Sequence, residues 1–384
     1  MMKPMKLPEL KDIKELKGKT VLLRAALNVP IKDGSVLNQF RLMRALPTVT
    51  YLKEHGARIV VIAHQGREPD ESLEPVYQVL KGVLDIKWSS TLTGKDTKHS
   101  VKGLKDGEVL LLENLRGEER ETKNEKSLAK ELASYADIYV NDAFSDSHRE
   151  HASLVGVPKL LPSYFGLNFV NECKELSRAM KPETPSILIL GGAKFETKLP
   201  LIDAYANKYS NVFIGGALSN DVFKAKGYEV GRSRVSDVDL RDSALLNHLN
   251  LLLPVDVTVK SERGVRVCAP NEIQKDEMIL DAGPKTIEML QGYIEKAKFI
   301  LWNGPLGDYE QGFEKETEKL ARIIADAEGY SMVGGGDTIA SIESLALQDK
   351  FGFLSTAGGA MLTFLEKGTL PAIEAVLQTA KGGH

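Results

Sequence analysis

The sequence contains little cysteine and lacks long apolar runs. Its 384 residues include two cysteines, Cys173 and Cys268, which lie far apart and form neither a disulfide framework nor a zinc-binding spacing. No apolar run reaches the ~18 residues of a membrane span. The first ten residues, MMKPMKLPEL, lack the apolar segment of a signal peptide. We therefore expect a cytoplasmic protein with no membrane partner.

The sequence also carries little net charge. A formal charge of −3 and a pI near 6.2 give no general reason to expect nucleic acid as a partner. We find no internal repeat and no low-complexity tract. The length favours two domains, because one hydrophobic core rarely extends past about 250–300 residues.

Short apolar runs are present in two groups, with helical patterns between them. Continuous runs of Val, Ile and Leu are typical of strands buried on both faces, as in parallel sheets covered by helices. The first group is 20–25, 58–64, 108–114 and 137–142, and the second is 186–190, 211–216, 278–283, 298–303, 331–336 and 351–356. Helical patterns include 125–136 and 314–329. The pattern predicts an α/β protein of two Rossmann-like parallel-sheet domains.

The domain boundary is expected near residues 165–185. The stretch 168–180 has a helical pattern, and the KPETP segment at 181–185 ends it before the next strand. We predict an N-terminal domain at 1–165, a hinge helix at 166–181 and a C-terminal domain at 182–368.

Cationic side chains follow the strands of the first group. In parallel sheets, ligands bind beyond the carboxyl ends of the strands, where such side chains converge. The planar fork of arginine fits carboxylate and phosphate. The cluster, Arg24, Arg41, His64, Arg67, Arg116, His148 and Arg149, predicts a pocket for a small, multiply anionic metabolite. The alternative is that each arginine pairs with a nearby carboxylate at the surface. A metal site within 141–151 is disfavoured, because Arg149 would place a like charge beside the ion.

Glycines follow the strands of the second group. The segment 188–198 combines a Gly-Gly turn with Lys194 and Lys198, whose spacing predicts that both ammoniums lie on one helical face. The segment 332–341 contains three glycines and then Asp337, which is either a helix N-cap or a magnesium ligand. Exposed N–H groups and lysines attract phosphate. Glu310 could accept hydrogen bonds from a ribose or be a solvated charge. No G-x-G-x-x-G follows the first strand of either group, which disfavours a nicotinamide dehydrogenase. An anion pocket and a nucleotide site together indicate phosphoryl transfer.

These segments resemble the phosphoglycerate kinase family over nearly the whole chain. The matching stretches, in the family's order, are LNVP, HQGR, LLLENLR, NDAF, SHREHAS, LGGAK, ETK, GPKT, LWNGP, GGGDT and STAGGA. The resemblance implies a hinged enzyme of glycolysis and gluconeogenesis, with 3-phosphoglycerate in the N-terminal lobe and Mg²⁺ with ATP or ADP in the C-terminal lobe. It also implies that the tail 369–384 packs on the first lobe. We expect a monomer.

The resemblance also implies roles for individual residues. Substrate contacts match Asn28, Arg41, His64, Gln65, Gly66, Arg67, Arg116 and Arg149. Nucleotide contacts match Gly192, Lys194, Lys198, Gly215, Asn303, Glu310, Gly335, Gly336, Asp337 and Thr338, with Asp337 facing the metal. The acceptor is a carboxylate that is already ionised, so no general base is needed. Arg41 and Lys198 are the expected catalytic residues, which stabilise charge once the hinge closes.

The sequence departs from the family pattern around the acid substrate. The usual aspartate after Arg24 is Ala26, a usual leucine is Gln65, and a usual Gly-Thr-Ala is Ser145-Asp146-Ser147. One glycine near 356 is Ala357. Gln65 or Asp146 could supply the missing contact. These departures leave two alternatives: the same chemistry on a different phosphorylated acid, or a nucleotide-binding protein with little catalysis.

Overall fold

The computed structural model describes residues 6–241 and 243–381. The chain forms two compact units. The first contains the residues up to Lys174 and from Lys367 onward, and the second contains Glu175–Glu366.

The first unit is built on a six-stranded parallel sheet. Its strands are β1 (Thr20–Ala25), β2 (Ile31–Lys32), β3 (Ser35–Val36), β4 (Arg58–Ile62), β5 (Lys87–Trp88), β6 (Val109–Leu111), β7 (Ile138–Asp142) and β8 (Ser163–Phe165). The sheet order is β5-β6-β4-β1-β7-β8, and β2 with β3 forms a separate antiparallel hairpin. The helices up to the division of the chain are α1 (Phe40–Glu54), α2 (Glu74–Lys81), α3 (Lys95–Lys102), α4 (Glu119–Thr122), α5 (Lys126–Ala133) and α6 (Leu167–Ala179).

Alternate residues of the central strand β1 enter two different cores. Val21 and Leu23 pack in the core cluster that includes Leu52. Leu22 packs on the other face, in the cluster that includes Leu128. Because side chains of a strand point to opposite faces in turn, a strand covered by helices on both sides is mostly apolar, and a charged residue within it, such as Arg24, needs partners. This explains the unbroken run of apolar residues that follows Thr20.

The second unit has one parallel and one antiparallel sheet. Its strands are β9 (Ser186–Leu190), β10 (Asn211–Ile214), β11 (Leu251–Leu252), β12 (Val257–Ser261), β13 (Gly264–Cys268), β14 (Met278–Ala282), β15 (Phe299–Asn303), β16 (Tyr330–Gly334) and β17 (Phe353–Ser355). The parallel order is β11-β10-β9-β15-β16-β17, and the antiparallel order is β13-β12-β14. The helices are α7 (Phe195–Tyr205), α8 (Ala217–Ala225), α9 (Pro284–Ile294), α10 (Lys315–Ala325), α11 (Gly336–Ser344) and α12 (Gly359–Lys367).

Short turns of other helix types complete the secondary structure of the described residues. A π-helix covers Ala152–Gly156. The 3-10 helices are Leu10–Asp12, Leu115–Gly117, Phe144–Asp146, Val157–Lys159, Ala244–Asn247, Pro270–Glu272, Tyr309–Gln311 and Gln348–Lys350. None of the helices described between residues 6 and 381 has both the length and the apolar character that crossing a membrane requires.

The last helix, α13 (Pro371–Lys381), packs on the first unit. Ala372 and Ala375 form a buried cluster with Leu154 and Val155. The hydroxyl of Thr379 also donates to the Pro158 carbonyl at 2.8 Å. Residues 382–384 of the tail expected at 369–384, and residues 1–5 of the expected N-terminal domain, lie outside the described residues.

The predicted fold class, two α/β parallel-sheet domains, is confirmed, with one correction at the strand level. The apolar run 278–283 was expected to join the parallel sheet, but β14 pairs antiparallel with β12. Its first two residues are only half buried, because this small sheet is not covered on both faces. The division between the units falls inside α6, between Lys174 and Glu175.

Candidate active site

Hydrogen bonds join the loops that follow three neighbouring strands of the first sheet, β1, β4 and β6. The Gln65 side chain accepts from the Val29 N–H at 3.1 Å and donates to the Val29 carbonyl at 2.8 Å. The Asn28 side chain accepts from the Gly66 N–H at 3.0 Å. Asn114 accepts from and donates to the Gln65 backbone, at 3.0 and 2.9 Å. Both ends of the Gln65 amide are therefore used in holding the loops together.

A buried arginine connects these loops with the segment after β7. Arg24 is 1% exposed, and it donates to the Ala25 carbonyl at 2.6 Å and to the Ser153 hydroxyl at 3.3 Å. Its Nη2 atom lies 3.1 Å from the Asp146 carboxylate and 3.1 Å from His64 Nδ1. Arg24 therefore acts as a structural side chain. It has a carboxylate partner, Asp146, but the pair is buried and not at the surface as the alternative expected.

The protonation states follow from burial and from these contacts. Burial opposes ionisation of Asp146, but its contacts with His64 and Arg24 outweigh burial and hold the pKa of the Asp146 carboxyl well below its usual range. Burial lowers the pKa of His64, and the neighbouring Asp146 carboxylate opposes that shift. His64 Nδ1 lies 3.1 Å from Arg24 Nη2 and 3.4 Å from the Asp146 carboxylate, so this nitrogen faces a donor and an acceptor. Asp146 is thus an ionised carboxylate beneath the cationic cluster.

Three more arginines lie around this buried group. Arg41 donates from Nη1 to the Asn28 carbonyl at 2.7 Å. Burial lowers the pKa of Arg41, and the charge of Asp146 opposes that shift. Arg149 lies 3.9 Å from Asp146. Burial and then the positive charge of Arg149 lower the pKa of Arg116, which indicates that these two guanidiniums are near each other. The cluster therefore has more positive charge than its carboxylates balance.

The structure brings most of the predicted acid-binding residues together. Those connected by the contacts above are Asn28, Arg41, His64, Gln65, Gly66, Arg116 and Arg149. The side chain of Arg67 is exposed, while its backbone N–H donates to the Glu71 carboxylate at 2.5 Å.

A cavity of about 550 Å³ lies at the loops that follow the parallel strands of the second unit. Three of the predicted nucleotide-binding residues, Gly192, Glu310 and Asp337, line it. Gly216 also lines it, with a φ of +58°, and a Cβ atom there would lie 2.7 Å from the Gly192 backbone nitrogen. Only glycine therefore lets these two loops approach so closely.

The two lysines of the glycine loop have different environments. Lys194 is the exposed N-cap residue of α7 and has a non-helical conformation, whereas Lys198 lies inside the helix and is buried. The prediction that both ammoniums lie on one helical face is therefore wrong, because the helix begins after Lys194. Lys198 donates to the side-chain oxygen of Asn303. Burial lowers the pKa of Lys198 to about 8.

The glycine-rich segment after β16 begins α11. Gly335 is the N-cap residue, so Asp337 is not the N-cap but an exposed residue of the first helical turn. Gly336 is also exposed, and Thr338 is buried and accepts from the Gly304 N–H at 3.0 Å. In the described part of the chain, no three His, Cys, Asp or Glu side chains form a group that could hold a metal ion. A magnesium ion at Asp337 would therefore take its remaining ligands from phosphates and water, as magnesium commonly does.

Seven predicted nucleotide-binding residues lie outside the cavity wall: Lys194, Lys198, Gly215, Asn303, Gly335, Gly336 and Thr338. Gly215 donates its N–H to the Leu190 carbonyl at 2.8 Å and so connects the ends of β10 and β9.

Several residues that line the cavity were not predicted from the sequence, among them Asn220, Arg234, Asp281 and Tyr309. Burial raises the pKa of Asp281 to about 7. Asn220 and Tyr309 lie in glycine loops, at 215–223 and 302–310, whereas Arg234 and Asp281 follow no glycine motif. Of the latter two, only Asp281 has a sequence signal, because it is a polar side chain inside an apolar stretch.

Two parallel-sheet units, one with a cationic cluster and one with a glycine-lined cavity, are the parts of a two-domain phosphotransferase. The family model for phosphoglycerate kinase matches residues 10–368. The chain belongs to the phosphoglycerate kinase family, and its function is the phosphoglycerate kinase activity of that family.

Relatives and solved structures agree over nearly the whole length. The phosphoglycerate kinases of Dictyoglomus turgidum and Moorella thermoacetica are 40% and 39% identical, and each alignment covers 96% of this chain and 98% of the relative. The solved phosphoglycerate kinase of Coxiella burnetii has a TM-score of 0.83 at 34% identity, and that of Pyrococcus horikoshii has 0.86 at 31%. Each covers 98% of this chain and 100% of the solved chain. These matches favour neither of the two alternative functions.

Proposed function

We propose that the chain catalyses the reversible reaction 1,3-bisphosphoglycerate + ADP = 3-phosphoglycerate + ATP, with the acid bound by the N-terminal cluster and Mg-nucleotide bound by the C-terminal cavity. In this proposal the N-terminal domain is 1–165 with the tail 369–384, the hinge helix is 166–181 and the nucleotide domain is 182–368. The observation that carries it is the separation of chemistry between the units: arginines around Asp146 in one, glycine backbone in the other.

The acid substrate carries a phosphate and a carboxylate, both anionic at pH 7. Arg116 and Arg149 lie near each other and suit the more highly charged phosphate. The buried His64 ring beside Asp146 adds an imidazole N–H donor to this group. Gln65 is bonded to the Val29 backbone and Asp146 is paired with Arg24, and either side chain would have to keep these contacts while replacing the aspartate that the family pattern has at Ala26.

The nucleotide requires a site for its phosphates and its metal. The exposed Gly336 and Asp337 in the first turn of α11 offer backbone N–H groups and one carboxylate. Asp337 would hold Mg²⁺, which neutralises charge on the phosphates when it is bound.

Catalysis then requires stabilisation of the charge on the transferring phosphoryl group. The acceptor carboxylate is ionised at pH 7, so the protein does not have to remove a proton. Arg41 and Lys198 supply positive charge to the transferring phosphoryl group. Asn303 orients Lys198, whose pKa of about 8 keeps most of the ammonium protonated at pH 7.

The test is a coupled steady-state assay with Mg-ATP and 3-phosphoglycerate. We predict that Arg41→Ala lowers kcat by about 10²–10³-fold, as expected when a charge-stabilising donor is removed. Arg44→Ala is the matched control, because Arg44 lies on the same helix and stacks on Phe40, 5.0 Å from its ring. An Arg41→Ala variant with native kcat would contradict the assigned role.

Three further features belong to the proposal. The two cysteines are unpaired and buried, which fits a reducing, cytoplasmic location. The proposal also includes a monomer and, as the resemblance to the family implies, a place in glycolysis and gluconeogenesis. Analytical ultracentrifugation of the full chain tests the monomer, and a dimer at micromolar concentration would contradict it.

A further inference from the structure

The nucleotide cavity contains a cation that the proposed reaction does not use. Arg234 lines the cavity, is exposed, and is the sole lysine or arginine of the cavity wall among the described residues. Its guanidinium makes no salt bridge to a carboxylate within residues 6–241 and 243–381. Any role of Arg234 in nucleotide binding rests on the proposed function, because that function makes this cavity the nucleotide site.

The backbone around Arg234 is held against the apolar part of the cavity. The Asn220 side chain donates to the Arg234 carbonyl at 2.9 Å. The neighbouring residue Val235 packs in the cluster that contains Val257 and Ile279, and both of these line the cavity. On the other side, the Ser233 hydroxyl accepts from the Ile279 N–H at 2.8 Å. Arg234 is therefore fixed beside the apolar wall.

The phosphates of a nucleotide belong at a different part of the same cavity. Asp337 and the first turn of α11 follow β16 in the parallel sheet. The apolar wall comes from β12 and β14 of the antiparallel sheet. A purine base is flat and largely apolar, so it fits the apolar wall while the phosphates take the helix N-terminus. This arrangement brings Arg234 to the base rather than to the phosphates.

The chemistry of arginine then discriminates between purines. A guanidinium has only donors, arranged as a fork. Guanine presents two adjacent acceptors, O6 and N7, and arginine pairs with them at once, whereas adenine presents an amino donor in place of O6. We propose that Arg234 reads this edge of the base and favours 6-oxopurine nucleotides, those of guanine and hypoxanthine, relative to adenine nucleotides.

The experiment is calorimetric titration of the full chain with Mg-ADP, Mg-GDP and Mg-IDP. We compare the native chain with Arg234→Ala, Arg234→Lys and a matched control, Arg232→Ala. Arg232 is in the same segment but does not line the cavity. We expect Arg234→Ala to weaken GDP and IDP binding by about tenfold and ADP binding by less than about twofold. Arg234→Lys should behave like alanine, because lysine lacks the fork, and Arg232→Ala should bind all three as the native chain does.

Three results would overturn the inference. Equal weakening of all three nucleotides would assign Arg234 to ribose or phosphate. Unchanged binding would leave it a solvated charge. Loss of GDP but not IDP binding would point to the 2-amino group instead of O6. Turnover of 3-phosphoglycerate by the native chain is measured separately, so a chain that is active but shows equal weakening fails this inference alone. A chain that shows the expected pattern without turnover fails the proposed function alone.

Discussion

Lys198 has a proposed catalytic role and a buried position. Its charge is expected to favour activity but to oppose stability. Burial lowers the pKa of its ammonium from the usual value to about 8, so the folded state resists carrying this charge. We predict that Lys198→Met lowers kcat by at least about 10²-fold and raises the free energy of unfolding at pH 7 by about 1–3 kcal/mol.

The stability difference between Lys198→Met and the native chain depends on pH. Between about pH 8 and the ordinary lysine pKa near 10.4, the unfolded chain binds more protons than the folded chain at this residue, so native stability rises with pH. The advantage of Lys198→Met should therefore shrink over that range. The measurement is denaturant unfolding followed by Trp302, which is buried next to Asn303. A methionine variant that is less stable at pH 7 would contradict the account.

Individual residue types were predictable from the sequence, whereas their partners were not. Arginines and glycines at strand ends identified both clusters. Gln65 looked like a substrate contact because it stands in a motif, and only the three-dimensional structure shows both ends of its amide bound to Val29. Arg234 gave no signal at all, because its position at the cavity depends on the packing of Val235.

The N-terminus of α6 has a buried carboxylate whose charge opposes folding. Asp142 accepts the Phe169 N–H at 2.9 Å. Burial raises the pKa of Asp142 to about 7. Between the usual aspartate pKa and pH 7 the folded chain binds the extra proton, so native stability falls as pH rises.

Asp142→Asn keeps the acceptor for the Phe169 N–H and removes the charge. We predict that its stability relative to the native chain increases by about 2–3 kcal/mol between pH 5 and pH 8. Denaturant unfolding at both pH values, followed by Trp88 of the same unit, measures this difference. Asp137→Asn is the control, because Asp137 also accepts a backbone N–H, from Thr20 at 2.8 Å. A constant difference between the two pH values would refute the expected protonation of Asp142.

Strands were predictable where burial on both faces makes the sequence continuously apolar, as in β1 and β9. The short edge strands β5 and β11 were missed, because two residues give no period to detect. The antiparallel pairing of β14 was also missed, because an apolar run does not reveal the direction of its neighbour.

At the scale of the whole molecule, the chain returns to its first unit through α13. We predict that deletion of residues 369–384 destabilises the first unit by about 2–4 kcal/mol, because Leu154 and Val155 lose their cover. The second unit should be unaffected, because α13 belongs to the first unit.

The two tryptophans separate these effects. Trp88 lies in the first unit and Trp302 in the second. In a Trp302→Phe variant, the fluorescence of Trp88 reports unfolding of the first unit. In a Trp88→Phe variant, the fluorescence of Trp302 reports unfolding of the second unit. Both variants are measured in the full-length and the shortened chain. Equal loss of stability in both variants would show that α13 supports the whole molecule and not one unit.

The position of α13 has a consequence for synthesis on the ribosome. The first unit is the earlier of the two to be translated, yet its cover at Leu154 and Val155 is translated after the entire second unit. Roughly 200 residues separate the two events, which at about 5–20 residues per second takes some 10–40 s. During that time the nascent first unit exposes an apolar patch. The first unit is thus translated first but completed last. The time for which its apolar patch can aggregate is set by the length of the second unit.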